Sequence, residues 1–186
     1  SYAADPVSIL AGHLMASPSY LALRRARDVD EPTLILLSNT GKDRSGNDVP
    51  ASMCVIDRAQ NVTGFFRIKT KGTPLAFATS QNGEAFAVTR RALYGDEWNY
   101  LEQFDADCMS DAGVRIQGSG STVDLNDVAQ HLSDQELYVH VDGLPIGEFT
   151  PVGGIIDLGE YSYENEVEVG LRMVPRIVLH PYKGGE

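Results

Sequence analysis

Residues Glu136–Met173 read ELYVHVDGLPIGEFTPVGGIIDLGEYSYENEVEVGLRM, and their spacing decides the fold class. Leu137, Val139 and Val141 alternate with Glu136, Tyr138 and His140, the period of a strand with one face on a core and the other toward water. Asp142-Gly143 follows, a pair suited to a type I′ turn because both residues tolerate positive φ. A two-residue turn there pairs Val141 with Leu144 and Val139 with Ile146. Farther on, Val167, Val169, Leu171 and Met173 share one face, against Glu166, Glu168 and Arg172 on the other. Two segments obeying period two predict a mainly β chain with an antiparallel β-sandwich core, of jelly-roll or carbohydrate-binding-module type. Tyr138, His140 and the ladder Glu164, Glu166 and Glu168 are expected on the solvated face.

The rest of the chain fits that frame. Leu75–Thr79 and Glu84–Leu93 form a second hairpin about Asn82-Gly83. A two-residue loop would pair Thr79 with Phe86 and Phe77 with Val88, two large apolar groups on one face. Thr33–Ser38, after Pro32, reads as a buried strand, followed by a polar loop from Asn39 to Pro50. Ser52–Asp57 and Val62–Lys69 are the next strands, the latter with Val62, Phe66 and Ile68 inward. Gly113–Gly120 reads as a glycine-rich strand and turn, and Asn126 or Asp127 caps a short helical turn through His131.

At the N-terminus, Asp5-Pro6 and Ser17-Pro18 each place a capping residue before a proline, the signature of a helix start. The pattern of Tyr20, Leu21 and Leu23 also suits a short strand. The expected organisation is a helical segment over 1–30 packed on a sandwich domain over 31–186.

Composition narrows the function. The chain has 186 residues and a net charge of −11, with residues 1–93 at +3 and residues 94–186 at −14. Such acidity argues against nucleic-acid binding, which needs clustered Lys and Arg. No apolar run approaches the roughly 20 residues of a transmembrane helix. The chain starts at Ser1 with no signal peptide, which reads as a processing or fragment boundary. Cys54 and Cys108 belong to no C-x-x-C pair. They suit either a disulfide in an exported protein, worth about 4 kcal/mol, or two small buried hydrophobes.

The segments YVHVDGLPIGEF and IIDLGEYSYENEVEVGL resemble the C-terminal extracellular region of YfhO-like bacterial membrane proteins. The matching residues are Tyr138, Val139, Val141, Asp142, Gly143, Gly147, Leu158, Gly159, Glu160, Val167 and Val169. The resemblance covers about 35 residues, mostly the turn-and-alternation grammar of β-sandwiches. It implies an extracellular or cell-surface sandwich attached to a many-spanning membrane part absent from this chain, and contact with glycan or cell-wall polymer. It transfers no functional residue.

Candidate site residues are few. Tyr94, Trp98, Tyr100 and Phe104 concentrate aromatic surface that could stack on sugar rings or cap a core. Asp105, Asp107 and Asp111 offer hard oxygen ligands of the kind Ca²⁺ takes, without a glycine-turn framework. Asp43, Asn47 and Asp48 do likewise, opposed by Lys42 and Arg44. His13, His131, His140 and His180 are scattered singly, with no H-E-x-x-H pair and no G-x-S-x-G elbow in the chain. No cofactor is implied. The reading is a non-catalytic extracellular β-sandwich domain contacting glycan or cell-wall polymer; the alternatives are a pilin-like or virion-surface assembly subunit, and a hydrolase with a site assembled only by folding.

Overall fold

The computed structural model describes residues 12–15, 17–26, 31–42 and 45–173. Within them the chain is mainly β, made of antiparallel sheets without a barrel, and its helical turns are two 3-10 segments, Gly12–Leu14 and Gln130–Leu132. A first sheet runs in chain order, β1 (Pro18–Arg24), β2 (Thr33–Asn39), β3 (Ala51–Asp57) and β4 (Val62–Arg67). A second comprises β5 (Thr73–Thr79), β6 (Ala85–Leu93) and β7 (Asp96–Phe104). The third is built from β8 (Asp111–Gln117), β10 (Leu137–Val141), β11 (Leu144–Phe149) and β13 (Glu166–Leu171), in the order β11-β10-β13-β8. A two-stranded ribbon, β9 (Thr122–Asp124) with β12 (Ile155–Asp157), completes the set.

Alternation explains how the sheets meet. Ala22, Leu36 and Ala51 line one face of the first sheet and form one apolar cluster with Phe77, Ala85 and Ala87 of the second. Two antiparallel sheets sharing a core in this way are consistent with a β-sandwich. A larger cluster covers one face of the third sheet, where Leu137, Val139, Val167, Val169 and Leu171 are fully buried against Leu125, Leu132, Ile156 and Leu158. Leu93, at the end of β6, also enters it and so joins the second sheet to the third. The Asp142-Gly143 turn has φ of +48° and +81°, as a type I′ turn requires. It is braced from outside, since the Asp142 carboxylate accepts the backbone N–H groups of Glu164, Asn165 and Glu166 at 2.9–3.0 Å.

Several expectations are corrected. Residues 18–24 form β1 rather than a helix, with Pro18 opening an edge strand, a place sheets tolerate proline. Ala22 lies opposite Leu36 and is buried, whereas Leu21 and Leu23 face outward. The helix expected from Asp5-Pro6 lies outside the described residues, apart from the turn at 12–14.

The hairpin of β5 and β6 is also shifted by one. Thr79 pairs with Ala85, Phe77 with Ala87 and Ala76 with Val88. The loop Gln81-Asn82-Gly83 has three residues rather than two, closed by the Ser80 N–H on the Glu84 carbonyl at 2.9 Å. Gly83 takes the left-handed position at φ +77°. A one-residue slip exchanges the faces, so Ala87, Thr89 and Arg91 point inward and Phe86 and Val88 outward.

On β4, Val62 and Phe66 are about half exposed, because the second sheet reaches β1 and β2 through β5 and leaves this edge uncovered. A bulge in β11 pairs Val139 with Gly147 rather than Ile146, and Met173 is exposed. His140 and Glu168, expected in water, are each 4% exposed.

Candidate functional site

A cleft of about 690 Å³ lies where the second sheet meets the edge of the third. Its floor is the inward face of β5 and β6, with Phe77, Ala87, Thr89 and Arg91. One wall follows β7 from Tyr100 to Asp105, and the opposite wall follows the start of β8 from Ser110 to Arg115.

Arg91 ties these walls together. It is 2% exposed on a strand face otherwise made of Ala85, Ala87, Thr89 and Leu93. A guanidinium has five N–H donors in a planar fork, and here every one has an acceptor. Nε and Nη2 reach the Glu102 carboxylate, Nη2 and Nη1 reach Asp111 at 2.7 and 3.2 Å, and Nη1 also reaches the Lys71 carbonyl at 3.1 Å. Asp111 further accepts the Thr70 hydroxyl at 2.6 Å and the Lys71 N–H at 2.7 Å. Burial alone would push the Asp111 carboxyl up, but the bonds from Arg91, Thr70 and Lys71 outweigh it and hold it below the usual carboxylate range.

The segment between β7 and β8 folds back over the third sheet. Glu168 accepts the Met109 N–H at 2.9 Å and the Ser110 hydroxyl. At the other end of the segment Asp105 pairs with Arg115. Close approach depends on two glycines: a Cβ on Gly113 would overlap the Cys108 sulfur, and one on Gly170 would lie 2.8 Å from the Gly113 Cα and 2.5 Å from the Ser110 hydroxyl. Beneath this segment His140 faces Glu168, its Nδ1 3.7 Å from Oε1 and without a hydrogen-bond partner among the described residues. Burial pushes the Cys108 thiol up, and the same cause raises Cys54; both cysteines are free.

The four predicted aromatics share a region but not one surface. Tyr100 and Phe104 line the cleft. Tyr100 packs on the large core and stacks on His131 at 5.3 Å, and Phe104 contacts Phe77 at 6.0 Å. Trp98 lies on the same face of β7, outside the cleft and 58% exposed. Tyr94 sits in the β6–β7 turn at φ +55°, its hydroxyl accepting from Gln130 at 3.3 Å.

The three aspartates do not converge. Asp105 faces Arg115 and Asp111 faces Arg91, while the Asp107 N–H caps the Asp105 carboxylate at 3.0 Å. Among the described residues no three His, Cys, Asp or Glu side chains are grouped so as to hold a metal ion. In the 39–50 loop Lys42 pairs with Asp48 at 2.8 Å, and Asp43 lies outside the described residues.

Sequence reasoning missed Arg91, Glu102, Ser110, His140 and Glu168. Arg91 had a signal, since with the three-residue loop it stands on the apolar face of β6. No comparable pattern marked Glu168. Neither a family model nor a curated protein sequence matches this chain. Among the described residues no helix is long and apolar enough to cross a membrane.

Proposed function

We propose that this chain is a non-catalytic β-sandwich domain of a bacterial surface or assembly protein, working by contact, with the cleft beside β7 and the exposed Trp98 on the same strand as its binding site. The observation that supports this most directly is the state of the charged groups there. Arg91, Glu102 and Asp111 bond one another, Asp105 pairs with Arg115, and burial shifts His131 toward its neutral form. A nucleophile or general acid needs a reactive group directed at substrate, whereas these groups are directed at each other.

Contact with a glycan or cell-wall polymer is favoured by the exposed Trp98 on β7, and is the reading that matches the YfhO-like resemblance and an extracellular location. Binding of a wall fraction or of immobilised oligosaccharides tests it. Trp98→Ala is expected to weaken binding by about 2- to 10-fold, the value of one aromatic contact; undiminished binding would remove the aromatic surface from the site. The assembly reading is favoured by the long edge strand β7, which ends its sheet. Sedimentation across a concentration series tests it, a strictly monomeric species counting against self-assembly.

A further inference from the structure

We infer that the cleft takes an extended polypeptide segment of a partner, added as a strand along the free edge of β7. The inference rests on the reading of this chain as a contact domain and names the occupant of that site.

A strand facing a cavity contributes every second residue. Here both walls are unbroken runs, 100–105 and 110–115, so strand edges border the space together with side chains. β7 ends the order β5-β6-β7 and β8 ends the order β11-β10-β13-β8. Among the described residues no further backbone hydrogen bond reaches the outer edge of either strand. Among the described residues, the outward main-chain N–H and C=O groups of both strands thus have no strand partner along the cleft, a template for strand addition.

The side chains indicate what kind of strand fits. Lys69, Arg91 and Arg115 balance Glu102, Asp105 and Asp111 along the lining, in a chain of net charge −11. A partner thus meets little net side-chain charge. The polar groups left to recognise it are N–H and C=O pairs from every second residue, repeating at about 6.8 Å along the edge, a pattern of paired donors and acceptors that another extended polypeptide matches and a pyranose chain does not. Phe104, exposed on the cleft wall, offers an apolar surface to alternate side chains. The run Tyr100–Asp105 accommodates about six residues, or roughly 20 Å. The occupant is an extended segment with apolar residues at alternate positions and no clustered charge.

Panning a displayed library of random seven-residue peptides against the full chain, followed by synthesis of the selected sequences with capped ends, provides the probe. The selected peptides are expected to alternate apolar with uncharged polar residues and to bind with little dependence on salt. They should slow amide exchange within 100–105. N-methylation of one alternate set of peptide amides should weaken binding by about tenfold or more, with the other set tolerated. Absence of enrichment, selection of charge-clustered sequences, equal binding by both N-methylated forms, or protection elsewhere would each overturn the inference. Cellohexaose and a wall fraction are run beside the peptides. If one of these protects 100–105 and no peptide does, the polypeptide occupant falls and the contact reading stands; if nothing binds, both fall.

Discussion

Replacing Arg91 by methionine tests the interior of the site most severely. The Arg91 side chain is 2% exposed, Asp111 12% and Glu102 23%, so the substitution strands two carboxylates away from bulk water. Removing one partner of a buried ion pair costs about 3–5 kcal/mol. For a chain of this length that corresponds to a fall in Tm of about 6–20 °C. The loss should also depend on pH. The folded-state pKa of Asp111 is lowered, so its contribution is complete above the unfolded carboxylate range and fades as pH falls through the folded value. In Arg91→Met the cation is gone and burial is opposed only by the bonds from Thr70 and Lys71, so that carboxyl moves upward from its wild-type position. The gap between the two proteins is therefore widest near neutrality and narrows toward acid. Urea melts at about pH 7 and about pH 3, either side of the ordinary Asp value, measure it. Asp111→Asn, which leaves Arg91 with Glu102, should cost less, about 1.5–3 kcal/mol. A deficit for Arg91→Met below about 1 kcal/mol, the value of a surface pair, or one that stays constant with pH, would refute the reasoning.

Three further outcomes follow from the contacts around β8. Glu168→Ala leaves the Met109 N–H and the Ser110 hydroxyl without their acceptor, and should cost about 1.5–3 kcal/mol; hydrogen exchange at Met109 should quicken, and an unchanged rate would mean that Glu168 does not hold the segment. Gly170→Ala pushes a methyl group into Ser110 and the Gly113 backbone; a loss of about 1–3 kcal/mol in chemical melts is expected, and a neutral result would contradict the close approach. With the Cys108 and Cys54 thiols raised by burial, iodoacetamide should label both more slowly in the native protein than in urea, as mass spectrometry would show; native Cys108 reacting at the unfolded rate would exclude its shielded position.

The fold was legible where period two and turn chemistry agreed. At Asp142-Gly143 the strands on both sides, the turn type and the Val141–Leu144 pair follow from adjacent residues. At Asn82-Gly83 the same dipeptide logic misleads, because a glycine in the left-handed position serves a two-residue or a three-residue loop equally well. Choosing between them needs the burial of residues several positions away: Ala85, Ala87 and Leu93 are small or apolar enough for the core, and their face carries Arg91. Two large apolar groups, Phe77 and Val88, favoured the other choice. At Pro18 a helix-start signal lost to β1–β2 pairing, a long-range contact that no local preference encodes.

The site was less legible because its burial comes from a crossing segment rather than from strand alternation. His140 and Glu168 stand on the polar face of their strands, and alternation correctly assigns them there. That face is dry around them because residues 105–110 fold over it, and what permits this is the absence of side chains at Gly113 and Gly170. Two glycines on neighbouring strands are weak sequence signals apart, since each alone reads as a bulge or a flexible spot. Together they form a notch filled by Ser110, whose hydroxyl then finds Glu168. The same crossing carries β7 into β8 and sets the two strands on the two walls of one cleft. The notch that buries the glutamate and the cleft between β7 and β8 are thus consequences of one chain reversal, and a variant that disturbs the first should disturb the second.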